Sequence, residues 1–160
     1  MSDARWFEVE ADLAAAVEHF SQSVKLYSLG GFDGDSLDAY RARMALMHAM
    51  QSGHTSMETA LVRILDLLGE DVPTGREWHA DLLRRMSHAL TDRPAILPPS
   101  LAGAANETRR FRHVAMRTYG SFDPGLAQPA IIAATLIAQG LTCAISAFRR
   151  QIDPDHGATP

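Results

Sequence analysis

The chain has 160 residues, of which 46% are hydrophobic and 21% charged, enough to bury a core as one domain without staples. A net charge of -4 excludes a surface built throughout for nucleic acid, although a local basic site fits within it. The lone Cys143 excludes an intramolecular disulfide framework and fits a reducing, cytoplasmic setting, while the opening "MSDARWFEVEADL" lacks the basic-then-apolar run of a signal peptide.

Helical periodicity dominates, with no alternating strand pattern. A first helix is expected from Asp3 to Tyr27, with Trp6, Leu13, Val17, Phe20, Val24 and Tyr27 on one face. "GGFDGDS" stops it, and Asp35 or Ser36 caps the next. The second helix is expected from Leu37 to Leu68 through Tyr40, Met44, Met47, Met57, Leu61, Ile64 and Leu67. Gly53 is its weak point: either one long helix bends there or two meet at "QSGHTS", and the single helix is the preferred reading. A third is expected from Thr74 or Gly75 through about Ala89, carrying Trp78, Leu82, Leu83, Met86 and Leu90.

After the proline-rich "TDRPAILPPS", Ser100 is the expected cap of a fourth helix reaching Tyr119. Asp123-Pro124 opens a fifth, an N-cap followed by proline at the first helical position. Its segment "PAIIAATLIAQGLTCAISAF" is long enough to span a bilayer, but its alanines and polar residues read better as a buried central helix of a soluble bundle. Cys143 is expected to be a buried, inert thiol on that helix. The fold class expected is all-α, an antiparallel bundle of four or five helices over residues 1–155, with 156–160 a frayed tail.

Phosphate loops, paired-cysteine zinc spacings and nucleophile elbows are all missing, so neither a metal nor a cofactor is expected. His48 with His54, and His79 with His88, are too loosely spaced for ligand pairs. The chemistry-bearing stretch is "RRFRHVAMRTYGSFDP", residues 109–124. On a helix Arg109, His113 and Arg117 succeed one another at intervals of four, and Arg112 lies about 140° round from Arg117. Guanidinium groups suit bidentate phosphate contact, whereas the plain alternative is a solvated basic helix face favoured by the helix dipole.

Taken together, "GREWHADLLRRM", "RPAILPPSL" and "ETRRFRHVAMRTYGSFDP" resemble the HepT-like ribonuclease toxins of the HEPN superfamily, in segment order from about Tyr40 to Ile152. The family pattern is an arginine followed about four residues later by histidine, often with a polar residue just after the arginine, and a tyrosine two beyond the histidine. Arg112 matches the arginine, His113 the polar neighbour and Tyr119 the tyrosine, but Arg117 stands where the pattern has histidine.

The resemblance implies a small all-α bundle that dimerises, with metal-independent RNA cleavage in the cleft between subunits. The substrate implied is tRNA or mRNA. Arg112 would steady phosphorane charge, with Arg109 and Arg110 contacting phosphate and His113 a possible substitute base. The partner implied is a nucleotidyltransferase antitoxin, which in some systems transfers AMP to the motif tyrosine, here Tyr119. Guanidinium stays protonated, so Arg117 binds phosphate but does not act as a base, and the expected enzyme is impaired. The alternative is a non-catalytic HEPN-type binding partner of a nucleotidyltransferase.

Overall fold

The computed structural model describes residues 3–117 and 123–154. Five helices follow in order: α1 (Asp3–Leu29), α2 (Leu37–Leu68), α3 (Trp78–Ser87), α4 (Pro99–Arg117) and α5 (Pro124–Ile152). The described residues contain no strand, so the fold class is the all-α, HEPN-like bundle.

The longest contact is the α1–α2 hairpin. Its core face on α1 buries Trp6, Val9, Leu13, Ala16 and Phe20, a three-and-four spacing, and each large side chain there contributes about 1.5–3 kcal/mol by leaving water. Along its polar edge Arg5 pairs with Asp66 at 2.5 Å, and Arg63 reaches Asp12 at 2.7 Å and Glu8 at 2.5 Å, fixing an antiparallel register. α2 is one helix, unbroken through Gly53. A Cβ there would stand 2.9 Å from Cδ1 of the fully buried Phe20, so the glycine exists to let α1 approach.

Termini follow local chemistry. Ser36 accepts from the Ala39 amide at 3.1 Å to start α2, and Gly69, at φ 70°, ends it. Asp123 accepts from the Gly125 amide at 2.8 Å, with Pro124 in the first turn of α5.

Several expectations need correction. α3 is shorter than its apolar pattern, because Gly75 sits at φ 97° and His88 turns to extended backbone; Leu90 lies beyond the helix and is exposed. α4 starts at Pro99 with Ser100 already inside its first turn, since the Pro98 carbonyl accepts from Ala102 N at 3.0 Å. The first turn of α2 buries Ala39 and turns Tyr40 outward. Cys143 is exposed: it falls between the buried Leu141 and Ile145, on the outer side of α5. α5 is long and apolar enough to cross a membrane, yet it packs one face on α1 and α4, with Ala130, Ala134, Ile137, Leu141 and Ile145 buried. It is not wholly buried, for Leu126, Ile132 and Leu136 remain exposed.

The connection after α3 is held by Arg93. Its guanidinium is bidentate to Glu70, with Nη2 donating to Oε2 at 3.1 Å, and it also donates to the carbonyls of His88 and Pro94. The amides of Ile96 and Leu97 both donate to the Met86 carbonyl at 2.9 Å, closing the loop onto the end of α3.

Candidate active site

α2 carries His54 and Glu58 four residues apart, so they share a face, and that face is the buried one. α4 presents Thr108 and Arg112 with the same spacing, and both meet the α2 pair. α3 begins with Trp78 and His79, which places the His79 ring against the same carboxylate. Three helices thus converge on one acidic side chain.

Glu58 is 4% exposed, so its charge must be answered inside the protein. Oε1 accepts from His79 Nδ1–H at 2.6 Å, and Oε2 accepts from Arg112 Nη1 at 3.0 Å. His54 Nε2 stands 3.2 Å from Oε1 but is not aligned for a hydrogen bond. The Thr108 hydroxyl donates to the Ala105 carbonyl at 3.0 Å and accepts from His54 Nδ1–H at 2.8 Å. Burial pushes the Glu58 carboxyl up, but the imidazoles of His54 and His79 beside it outweigh that and hold it below the usual carboxylate range.

The three side chains that face the carboxylate differ in access. The His54 side chain is fully buried, Arg112 is 24% exposed and His79 is 33% exposed. Trp78 lies against the His79 ring, with centroids 3.8 Å apart and planes tilted by 31°. The cluster is therefore anchored from inside by Glu58 and open to solvent through a guanidinium and an imidazole. A guanidinium held this way recognises phosphate, and an imidazole moves protons near neutral pH.

Among the residues singled out in the sequence, Arg112 is the one that enters this cluster. The half-buried Arg109 donates to Asn106 and the exposed Arg110 to Glu107, each at 3.0 Å, and neither contacts the cluster. His113 is exposed. Arg117 is the last residue of α4, with its side chain outside what the structure describes, and Tyr119 lies outside the described residues altogether. His54, Glu58, His79 and Thr108 were not foreseen as a site. Their one sequence signal is a histidine–glutamate pair four apart on the α2 stripe that also carries Met57 and Leu61, since buried polar groups require partners.

The fold is thus an all-α bundle in which the arginine-rich α4 is anchored on a buried carboxylate. The HepT-like protein family model matches residues 45–152, more than half of the chain, and the chain belongs to that HepT-like family. The match spans α3, α4, α5 and most of α2, and so contains every residue of the cluster. Comparison with curated proteins and with solved structures produced no match.

Proposed function

We propose that the chain is the RNA-directed toxin component of a toxin–antitoxin pair, of endoribonuclease lineage and impaired by Arg117. The observation that carries this reading is Arg112, the motif arginine, held by the buried Glu58 with part of its guanidinium open to solvent. A fixed, partly exposed guanidinium suits phosphate binding, and the nearby Arg109 and Arg110 extend positive potential along α4. At position 117 a guanidinium binds phosphate without exchanging protons, so the motif lacks its acid–base group.

A homodimer and a nucleotidyltransferase antitoxin belong to the same proposal. For the dimer, support comes from an apolar groove of about 230 Å³ between α4 and α5, lined in part by Phe111, Val114, Leu126 and Ala130. With Ile132 and Leu136 also exposed, this face suits a two-fold contact. Arg117 also favours a second reading, a non-catalytic RNA- or nucleotide-binding partner of the nucleotidyltransferase.

RNA cleavage by the chain and by Arg117→His separates the two. We expect the histidine variant to cleave faster by about 10²–10⁴-fold, the usual contribution of acid–base catalysis. RNA binding in both should weaken as salt rises. Salt-sensitive binding without cleavage from either protein would favour the binding partner.

A further inference from the structure

With an arginine at position 117, any proton transfer in this site must come from another part of the chain. Four groups contact or face the Glu58 carboxylate region, and three of them are poorly placed for the task. His54 is fully buried and Thr108 is 1% exposed, so neither reaches a substrate. Arg112 keeps its proton. His79 alone combines access with a titratable nitrogen.

We infer that His79, oriented by Glu58 and adjacent to Arg112, is the proton-transfer residue of this site. The inference rests on the RNA-cleavage reading above. Its geometry is that of a carboxylate–imidazole dyad. Nδ1–H donates to Oε1 at 2.6 Å, which leaves Nε2 as the basic nitrogen, and Nε2 has no partner among the described residues. Trp78, stacked at 3.8 Å, restrains the ring plane. Arg112 sits on the other oxygen of the same carboxylate, so a phosphate on its exposed edge lies beside the imidazole. Glu58 acts through the other two and is a positioning residue.

Nε2 takes the proton of a ribose 2′-hydroxyl, and the 2′-oxygen bonds to the adjacent phosphorus. The bond from phosphorus to the 5′-oxygen breaks, and that oxygen takes a proton from water. The hydroxide left behind takes the proton back from the imidazolium. The products are a 2′,3′-cyclic phosphate and a 5′-hydroxyl, with no metal or oxidant consumed. Arg112 offsets charge on the phosphorane.

The test is the residual cleavage of tRNA and of a mixed-sequence oligoribonucleotide by the Arg117 chain, its His79→Ala variant and Arg117→His. Binding is followed in parallel by fluorescence anisotropy. Removal of His79 is expected to lower residual cleavage by about 10²-fold while RNA binding holds. Free imidazole should restore the activity of His79→Ala, which a purely structural role for the ring would not allow. The rate of the Arg117 chain should rise with pH and level off, with a flat profile in the variant. The charged or titratable groups around His79 are Glu58 from α2, which it contacts, and His54 from α2 and Arg112 from α4, which contact the same carboxylate.

Unchanged cleavage in His79→Ala would overturn the inference and leave the cleavage reading standing. An Arg117 chain that binds RNA but does not cleave would also overturn it, with a gain in Arg117→His preserving the lineage. No binding and no cleavage from any of the proteins would remove the underlying reading as well.

Discussion

Two arginine–carboxylate pairs stand at the edge of the core, and they are inside out relative to each other. At Arg93–Glu70 the arginine is the buried partner, 3% exposed, and the carboxylate faces outward at 19%. At Arg112–Glu58 the carboxylate is buried, 6% exposed, and the arginine faces outward at 24%. The donors of Arg93 are spent on Glu70 and on the His88 and Pro94 carbonyls, so the pair ties a loop to the end of α2. Glu58 instead spends its acceptors on Arg112 and His79, two groups whose other edges meet solvent. Burying the acid exports positive charge, whereas burying the base consumes it. The same residue types thus give a staple in one place and a binding surface in the other.

The largest effect expected is at Glu58. Glu58→Gln leaves Arg112 beside two histidines with no counter-charge, and we expect a loss of about 3–5 kcal/mol in urea unfolding. The sign with pH follows from the direction of its shift. The folded-state carboxyl is held below its unfolded value of about 4.3, so its contribution is complete above that value and lost as pH falls through the lowered one. The acid limb of the stability curve should therefore be shallower in Glu58→Gln. An acid limb identical to that of the parent would break the contrast by making Glu58 electrostatically idle.

Arg93→Ala is the matching cut in the staple. It leaves Glu70 and two carbonyls without their donor, and a loss of about 3 kcal/mol is expected. RNA binding, measured at a temperature where the variant is folded, should not change. Gly53→Ala tests the scaffold under His54 and Glu58. The overlap with Phe20 should destabilise by about 1–3 kcal/mol, against about 1 kcal/mol gained from alanine's helix propensity. Thermal unfolding at or above the parental midpoint would show that α1 yields freely. The smallest effect is expected at Arg84, whose pair with Asp81 at 2.9 Å is exposed. Arg84→Ala should stay within about 1 kcal/mol in the same unfolding assay, which would sharpen the point that burial, not pairing, makes the two centres matter.

Much of this bundle was legible in its sequence, and the reasons are local. The α2 boundaries come from Ser36 as cap and Gly69 as a left-handed stop, and the start of α5 comes from Asp123-Pro124. Where helix ends depend on backbone that only the fold selects, periodicity misleads. The apolar spacing of residues 74–90 suggests more helix than Gly75 and the Met86–Leu97 closure allow. Cys143 failed for a related reason: an apolar neighbourhood in sequence does not say which side of α5 is covered.

The site divides the same way. Arg112 was visible because its motif lies within one helix. Glu58 and His79 were not, because they lie 54 and 33 residues from Arg112 along the chain and meet it only once α2, α3 and α4 have packed. Spacing rules for histidine pairs see neighbours on one helix. This cluster is assembled across three.

The most direct measurement is RNA cleavage in the Arg117→His background, with Arg112→Ala or Arg93→Ala added and the unfolding midpoint of each recorded. We expect Arg112→Ala to abolish cleavage even at temperatures where the variant is fully folded, although its midpoint also falls because the buried Glu58 loses its arginine. Arg93→Ala should lower the midpoint and leave cleavage by the folded protein intact. Cleavage that survives Arg112→Ala, or that falls only in proportion to unfolding in both variants, would contradict the assignment of the Glu58 centre to function.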